Sequence, residues 1–135
     1  DDGRAPLALE PGELVVAVAV PAQPRGATSG YRKARARGAI DFPLAGVAVR
    51  LAVDDGRIAA IDVALTGTNS RPFRLAGTDA WVGRVVDDGL LAELGKAVQK
   101  QVSPMRTTVT QSNWRRQVAS VEAQRLVREL AKVAS

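Results

Sequence analysis

Apolar residues alternate with other residues in two neighbouring stretches near the middle of the chain, Leu44–Val53 and Arg57–Thr66. A period of two is typical of a strand with one buried face. The residues between them, Asp54-Asp55-Gly56, contain the Asp-Gly pair that favours a tight hairpin turn. We therefore predict an antiparallel hairpin, then a turn over Gly67–Pro72 and a third short strand in the PFRLAG segment.

The period changes to that of a helix in the second half of the chain. Thr78–Val82 fits a short helix. Asp87 or Asp88 can then cap a longer helix that runs to about Gln101, because a carboxylate at this position accepts free backbone N–H groups. The apolar residues of that helix repeat at helical spacing and include Leu90, Leu91, Leu94 and Val98.

A loop containing Pro104 separates this helix from a last one, which begins at Gln111 or Ser112 and spans about Asn113–Val133. Its apolar and charged residues segregate to opposite faces, which is typical of a helix packed on a core. Strands followed by helices indicate an α+β fold. We predict an antiparallel three- to four-stranded meander sheet that is covered on one side by the C-terminal helices.

The N-terminal region has a different character. Glu13–Pro21, ELVVAVAVP, predicts a short strand, and Pro21–Gly30 is rich in linker residues. We therefore divide the chain into residues 1–27, a tail strand and linker from a preceding domain, and residues 28–135, a C-terminal α+β domain. The alternative is a long ordered loop within one domain.

Composition narrows the possible functions. The 135 residues include no cysteine and no histidine, which excludes disulfides, cysteine-held clusters and histidine-based catalytic or metal sites within this sequence. No run approaches the roughly 20 apolar residues of a membrane span. A cysteine-free chain is compatible with the cytoplasm, where we predict this protein to be.

Charge points to an anionic neighbour without identifying it. The net charge of +5 suits a nucleic acid, a partner subunit or a phosphorylated cofactor. The cations concentrate in Ser29–Pro43, SGYRKARARGAIDFP, directly before the hairpin. A solvated basic loop is the simplest interpretation of such a run. No GxxxxGK[ST] or GxGxxG phosphate motif occurs, so the sequence holds no familiar dinucleotide cradle.

Four segments together resemble a known family: SGYRKARARGAIDFP, DFPLAGVAVRL, ALTGTNSRPFRL and KQVSPMRTT. In this order and spacing they are similar to the C-terminal domain of the FAD-binding medium subunit of the molybdenum hydroxylase and carbon monoxide dehydrogenase family. They look closest to the beta subunits of 4-hydroxybenzoyl-CoA reductases. The resemblance implies a cytoplasmic oxidoreductase of aromatic degradation, in which this domain has no turnover of its own.

The resemblance also implies the cofactors and partners. Two FAD-binding domains of the same subunit would precede this region and hold most of the FAD. Electrons would pass between FAD, iron–sulfur centres and a molybdenum cofactor on other chains. This domain would help to close the FAD site and dock the iron–sulfur and molybdenum subunits.

Within the basic segment, the resemblance places a lysine near the flavin N1 and C2 carbonyl, and we rank Lys33 first for this role, before Arg32 and Arg35. Asp41 either orients that cation through a charge-assisted hydrogen bond or caps the following turn. Tyr31 packs against a ring or against the sheet. The four cofactor-binding candidates are Tyr31, Lys33, Arg37 and Asp41.

Other polar residues fit structural roles. We predict that Gly67–Arg71 is a strand-ending turn, and that Arg115 and Arg116 are solvated or bound to a partner subunit. A second group either caps the last helix or contacts a neighbouring domain: Ser103, Arg106, Thr107 and Thr108.

Two rival functions remain open at this point. One is a basic nucleic-acid-binding α+β module, although its few aromatic residues are scattered along the chain. The other is a purely structural domain for subunit interaction.

Overall fold

The structure, a computed structural model, describes residues 8–38, 40–106 and 110–134. It contains four strands, β1 (Ala27–Ala34), β2 (Ala45–Asp54), β3 (Arg57–Thr66) and β4 (Phe73–Arg74). They form one antiparallel sheet in the order β1-β2-β3-β4, so that each strand pairs with the next one along the chain. The predicted meander is therefore confirmed.

The helices follow the sheet in sequence, as predicted. A single 3-10 turn at Thr78–Trp81 leads to α1 (Asp88–Gln101) and then to α2 (Ser112–Val133). The Asp87 carboxylate accepts the backbone N–H of Leu90 at 2.7 Å, which confirms the expected cap of α1. By contrast, the residue that precedes α2 makes no side-chain cap hydrogen bond.

The β2–β3 hairpin has the expected tight turn. Asp55 and Gly56 have φ angles of 46° and 70°. Two successive residues in the left-handed region form the type of turn whose twist matches that of paired strands. The register slips once, between Ala52 and Val53, where the pairing is irregular.

The core lies between one face of the sheet and the two helices. Alternate residues of β2 and β3 point to this side, and α2 packs across β1 and β2. Gly30 of β1 permits a close approach, since a Cβ added there would lie 2.8 Å from Leu126 Cδ1. The fully buried side chains at the centre of this layer include Val47, Leu51, Leu65, Leu90, Leu94 and Val127.

Two local predictions are wrong. Glu13–Pro21 forms no strand, and Val16 in its middle is 88% exposed. Its strand-like composition has no effect because no described strand lies beside it to complete a ladder of hydrogen bonds. Conversely, Ala27–Ala34 is the edge strand β1 and not part of a linker and basic loop. The division between residues 1–27 and 28–135 stays a prediction.

The predicted fold class is confirmed, with the sheet covered by helices on one side only. Within the part of the chain that the structure describes, no helix is both long enough and apolar enough to cross a membrane.

Candidate functional site

Strand β1 sorts the residues of the basic segment onto two faces. Arg32 points to the helix side, where its guanidinium donates to Glu122 Oε2 at 3.3 Å and Glu129 Oε2 at 2.7 Å. Tyr31 and Lys33 flank it in the strand and therefore project from the opposite face. Arg32 is thus engaged with α2, and Lys33 is the cation of β1 that reaches the uncovered side of the sheet.

The side of the sheet that faces away from the helices is an open sheet face with small residues at its centre. Ala48 and Ala64 sit opposite each other there, and Gly46 lies under the Tyr31 ring, since an added Cβ would be 2.7 Å from Tyr31 Oη. A shallow concavity of about 630 Å³ lies over the small residues of the open sheet face. It is lined mainly by Ser29, Tyr31, Ala48, Arg50, Asp62 and Arg74.

A charged cluster borders the floor of the open sheet face. Asp62 on β3 accepts a hydrogen bond from Arg50 Nε at 2.7 Å and also pairs with Arg74. The hydrogen bond from Arg50, followed by that from Arg74, keeps the pKa of Asp62 below its usual value despite partial burial. Two cations share one carboxylate, so the cluster carries a net positive charge.

Asp41 organises the loop between β1 and β2. Its Oδ2 accepts the backbone N–H groups of Arg37 at 2.9 Å and Ala36 at 3.1 Å. The hydrogen bond from the Arg37 backbone is the main reason that the pKa of Asp41 lies below its usual value, and the Arg37 charge adds to it. Asp41 thus holds the turn that precedes it in the chain, and not the following turn that was expected. No hydrogen bond joins it to Lys33 among the described residues.

The Arg37 side chain extends the same loop outward. It lies 3.5 Å from Asp41 Oδ1 and donates to the carbonyl of Ile40 at 3.4 Å, while 73% of it remains exposed. These contacts stabilise the loop conformation. They do not direct the guanidinium into a cavity.

Lys33 and Asp41 line one cavity of about 370 Å³ at the end of β1. Its remaining walls come from Arg35, Ile40, Phe42 and Pro43. Ile40 is 95% exposed and Phe42 is 88% exposed, which is unusual for large apolar side chains that sit next to each other. In the described part of the chain no ion pair engages the Lys33 ammonium. The cavity therefore offers an available cation beside uncovered apolar surface.

Of the four candidates, the structure brings together only two in this cavity. Tyr31 lies in the neighbouring concavity of the open sheet face, and Arg37 lines neither space. The cavity has the chemistry that an aromatic, electron-accepting ring system would need: apolar walls and two cations, Lys33 and Arg35, for which the described residues show no ion pair. The residues present thus fit a contact with one edge of a flavin, while they supply no cradle for its phosphates.

Arg115 is the residue of this region that the sequence reasoning missed. It is 8% exposed and donates to Leu44 O at 3.0 Å, to Met105 O at 3.1 Å and to Gly67 O. The prediction that it is solvated or bound to a partner is therefore wrong. The sequence does contain a signal of its burial. Arg115 stands four residues before the buried Ala119, and this spacing places both on the face of α2 that meets the core.

Arg116 is also more engaged than predicted. It is half-buried, and its Nε donates to the carbonyl of Val102 at 3.3 Å. Both arginines at the start of α2 thus bind backbone oxygens from other parts of the domain.

The Gly67–Arg71 turn has the structural role that was expected. Asn69 donates to Gln101 O at 3.3 Å and accepts the backbone N–H of Ser103 at 3.0 Å, so it ties the turn to the end of α1. Thr107 and Thr108, for which a capping or contact role was predicted, lie outside the described residues.

The family follows from a comparison of the sequence with known proteins. Residues 29–130 match the family described as the CO dehydrogenase flavoprotein C-terminal domain. The chain belongs to this family. The match begins two residues before Tyr31 and ends in α2. It therefore contains the whole sheet except the start of β1, all of α1, and α2 except its last three residues.

Individual relatives agree with this assignment. The chain is 31% identical over 121 residues to the glyceraldehyde dehydrogenase medium chain of Sulfolobus acidocaldarius, covering 89% of this chain and 42% of that protein. It superposes on a reconstituted CO dehydrogenase from Oligotropha carboxidovorans with a TM-score of 0.85 and 27% identity, covering 95% of this chain and 44% of the other. The chain thus spans less than half the length of these relatives.

A more distant structure shares the fold alone. The quinoline 2-oxidoreductase of Pseudomonas putida 86 superposes with a TM-score of 0.73 at 22% identity, over 78% of this chain and 37% of that one.

Proposed function

We propose that this chain is the C-terminal part of the FAD-containing medium subunit of a molybdenum hydroxylase, where it completes the flavin site. The observation that carries the proposal is the position of Lys33. The side chain lines a cavity with exposed apolar walls on the open sheet face, and no described carboxylate forms an ion pair with it. FAD, when bound, would accept and release the electrons.

Each candidate residue then has a distinct role. Lys33 would present a positive charge toward the flavin N1 and C2 carbonyl, and this charge would favour the negative charge that a flavin gains on reduction. Tyr31 packs over Gly46 in the neighbouring concavity of the open sheet face. Asp41 and Arg37 hold the β1–β2 loop, so that Phe42 and Ile40 keep their places beside Lys33.

FAD-binding domains of the same subunit would supply the contacts to the phosphates, because no phosphate cradle occurs among the described residues. The complete enzyme would also contain iron–sulfur and molybdenum subunits, against which this domain docks. We retain the cytoplasm as its proposed location.

We propose reduction of 4-hydroxybenzoyl-CoA as the reaction of the whole enzyme, on the basis of the DFPLAGVAVRL, ALTGTNSRPFRL and KQVSPMRTT segments. Oxidation of an aldehyde such as glyceraldehyde is the second candidate, favoured by the 31% identity to the archaeal medium chain. The direction of electron flow separates them. Under anaerobic conditions, 4-hydroxybenzoyl-CoA should reoxidise the pre-reduced flavin of the assembled enzyme, whereas an aldehyde substrate would instead bleach the oxidised flavin.

The role of this domain is tested by truncation. FAD content and flavin reduction potential are measured in the complete medium subunit and in a version that ends before Gly30, with circular dichroism to verify that the remainder stays folded. Loosened flavin or a shifted potential supports the proposal. Unchanged flavin would instead identify this region as a structural docking domain.

The nucleic-acid-binding alternative makes a different prediction. Binding of this chain to an oligonucleotide would weaken steeply with rising salt, because neutralised phosphates release counterions. Membership of the flavoprotein family argues against it, and a fluorescence anisotropy titration at two salt concentrations is sufficient to test it.

A further inference from the structure

The tip of the loop between β1 and β2, Ile40–Phe42, presents two large apolar side chains to solvent. Ile40 is 95% exposed and Phe42 is 88% exposed. Single exposed apolar residues are common on protein surfaces, but two of this size on one loop tip indicate a contact surface. A molecule in the Lys33 cavity would cover only the sides of these residues that line it. Most of their apolar surface would therefore stay uncovered.

The backbone of the tip is strained. Ile40 has a φ of 42°, which lies in the left-handed region where a residue with a branched Cβ is disfavoured. Asparagine and glycine adopt this conformation more readily. An isoleucine at this position destabilises the isolated domain, and its exposed side chain gains no packing there in return. The strain therefore points to a contact outside this domain that buries the Ile40 side chain.

The loop is built to hold this conformation. Asp41 Oδ2 accepts the backbone N–H groups of Ala36 and Arg37, and the Arg37 guanidinium donates to the carbonyl of Ile40 at 3.4 Å. These bonds stabilise the tip in the position that exposes both apolar side chains. A tip that is already ordered loses little conformational entropy when it binds.

Cations surround the tip. Lys33 and Arg35 line the cavity beside it, and the Arg37 side chain is 73% exposed. The carboxylate of Asp41 is 15% exposed and is engaged within the loop by two backbone N–H groups and by Arg37. The exposed surface of the tip is therefore positively charged. A complementary surface has carboxylates around an apolar pocket.

We propose that Ile40 and Phe42 insert into an apolar pocket, edged by carboxylates, on the FAD-binding part of the complete medium subunit. This inference rests on the proposed function, because it takes the flavin beside Lys33 to be held by that part. Protein that holds a flavin edge in the Lys33 cavity also lies beside the tip, since Ile40 and Phe42 line the same cavity. The region shared with the relatives is less than half of their length, which leaves a further body of protein for this contact.

The test measures amide hydrogen exchange of Ile40–Phe42 in this chain and in the complete, FAD-free medium subunit, with circular dichroism to verify that both are folded. The wild type is compared with Ile40→Asn, which tolerates the left-handed conformation but removes the apolar side chain. Val133→Asn is the matched control. Val133 is 69% exposed and ends α2, whereas Arg115 near the start of α2 binds the loop at Leu44 O.

We expect the tip amides of the wild type to exchange about tenfold or more slowly in the complete subunit than in this chain, because docking buries large apolar side chains. Ile40→Asn should lose this protection, although in this chain alone it should unfold at the same or a higher temperature than the wild type. Val133→Asn should keep the protection. Equal exchange in the two wild-type proteins, or full protection in Ile40→Asn, would overturn the proposal.

The charge of the pocket has its own variant. Arg35→Glu reverses a charge that faces the proposed carboxylates and should weaken the protection in the complete subunit. Undiminished protection in Arg35→Glu would contradict an acidic pocket.

Two further results would identify a different occupant and overturn the proposal. Protection that appears only after FAD is added would show that the flavin itself covers the tip. Protection of this chain by vesicles of phosphatidylcholine and phosphatidylglycerol, without protection in the complete subunit, would show a membrane. Protection in the FAD-free subunit together with an unchanged flavin potential in Lys33→Met would support the docking while refuting the proposed role of Lys33.

Discussion

Replacing Arg115 with methionine tests whether the start of α2 holds the domain together. The guanidinium joins three separate segments through Leu44 O, Gly67 O and Met105 O. Methionine keeps much of the length and the apolar stem but removes every donor. The carbonyls of half-buried Leu44 and Gly67 then lose a partner, whereas Met105 is 80% exposed and water can take over its bond.

The expected magnitude follows from these contacts. A hydrogen bond to a charged group contributes about 1.5–3 kcal/mol, and two of the three are poorly replaced by water. Relief from burying the charge offsets part of this loss. We therefore expect the free energy of unfolding to fall by about 2–4 kcal/mol. Arg116→Met removes one long bond of 3.3 Å and should cost about 1 kcal/mol or less.

Urea denaturation measures both variants, with thermal unfolding as a second readout. Each kcal/mol corresponds to roughly 3–5 °C for a domain of this size. A decrease of less than about 0.5 kcal/mol in the unfolding free energy of Arg115→Met, or equal decreases in both variants, would refute the role of Arg115 in joining the three segments.

Three further predictions concern the turns and the edge strand. Gly67→Ala should lower the free energy of unfolding by about 2 kcal/mol or more, because the φ of Gly67 is 75° and the new Cβ would lie 2.8 Å from a backbone oxygen. Gly56→Ala should lower it by only about 1–2 kcal/mol, because Gly56 has a φ of 70° but open space around it. Thermal unfolding measures both variants. Asp41→Asn should reduce the loss of stability in acid. The lowered pKa means that its stabilisation is fully present above the usual value of 3.8 and disappears as the pH falls through the folded value, which urea titrations from pH 7 to pH 2 would reveal. Arg32→Ala should speed amide exchange in β1 by releasing it from two glutamates of α2, whereas Arg125→Ala, paired only within α2, should not.

Local patterns were sufficient to predict the hairpin and the helices. The hairpin has clear alternation and an Asp-Gly turn, and α1 begins next to the carboxylate that caps it. The conformation of these elements is determined by residues that are close in the sequence, and a single sequence contains that information. Fold class followed from the order of these elements.

Strand β1 could not be predicted in the same way. Its face toward α2 contains Gly30 and Arg32, where a typical strand would have large apolar residues. The glycine leaves room for Leu126, and the arginine reaches two carboxylates of α2. Both features depend on contacts between residues that lie at least 90 positions apart in the sequence. Conversely, Glu13–Pro21 has apolar residues suited to a strand, but pairing requires a neighbour.

The sequence identified candidate residues without their arrangement. The basic segment was singled out by its charge but was taken for a loop, whereas Ala27–Ala34 is the edge strand β1. The choice between Arg32 and Lys33 depends on which face of the sheet each occupies, and that is fixed by the register of β1 with β2. Arg115 was assigned to solvent or to a partner subunit because a charged residue at a helix start is usually exposed. Its burial results from three carbonyls that the fold brings to it.

The central claim is that Lys33 faces the flavin of the complete medium subunit. The most direct measurement is the flavin reduction potential of the purified FAD-containing subunit, compared between the wild type, Lys33→Met and Arg35→Met. Arg35 lines the same cavity and is the matched cation. We expect Lys33→Met to make the flavin harder to reduce, shifting the potential to more negative values, while Arg35→Met leaves it nearly unchanged. An unaltered potential and FAD content in Lys33→Met would contradict the account.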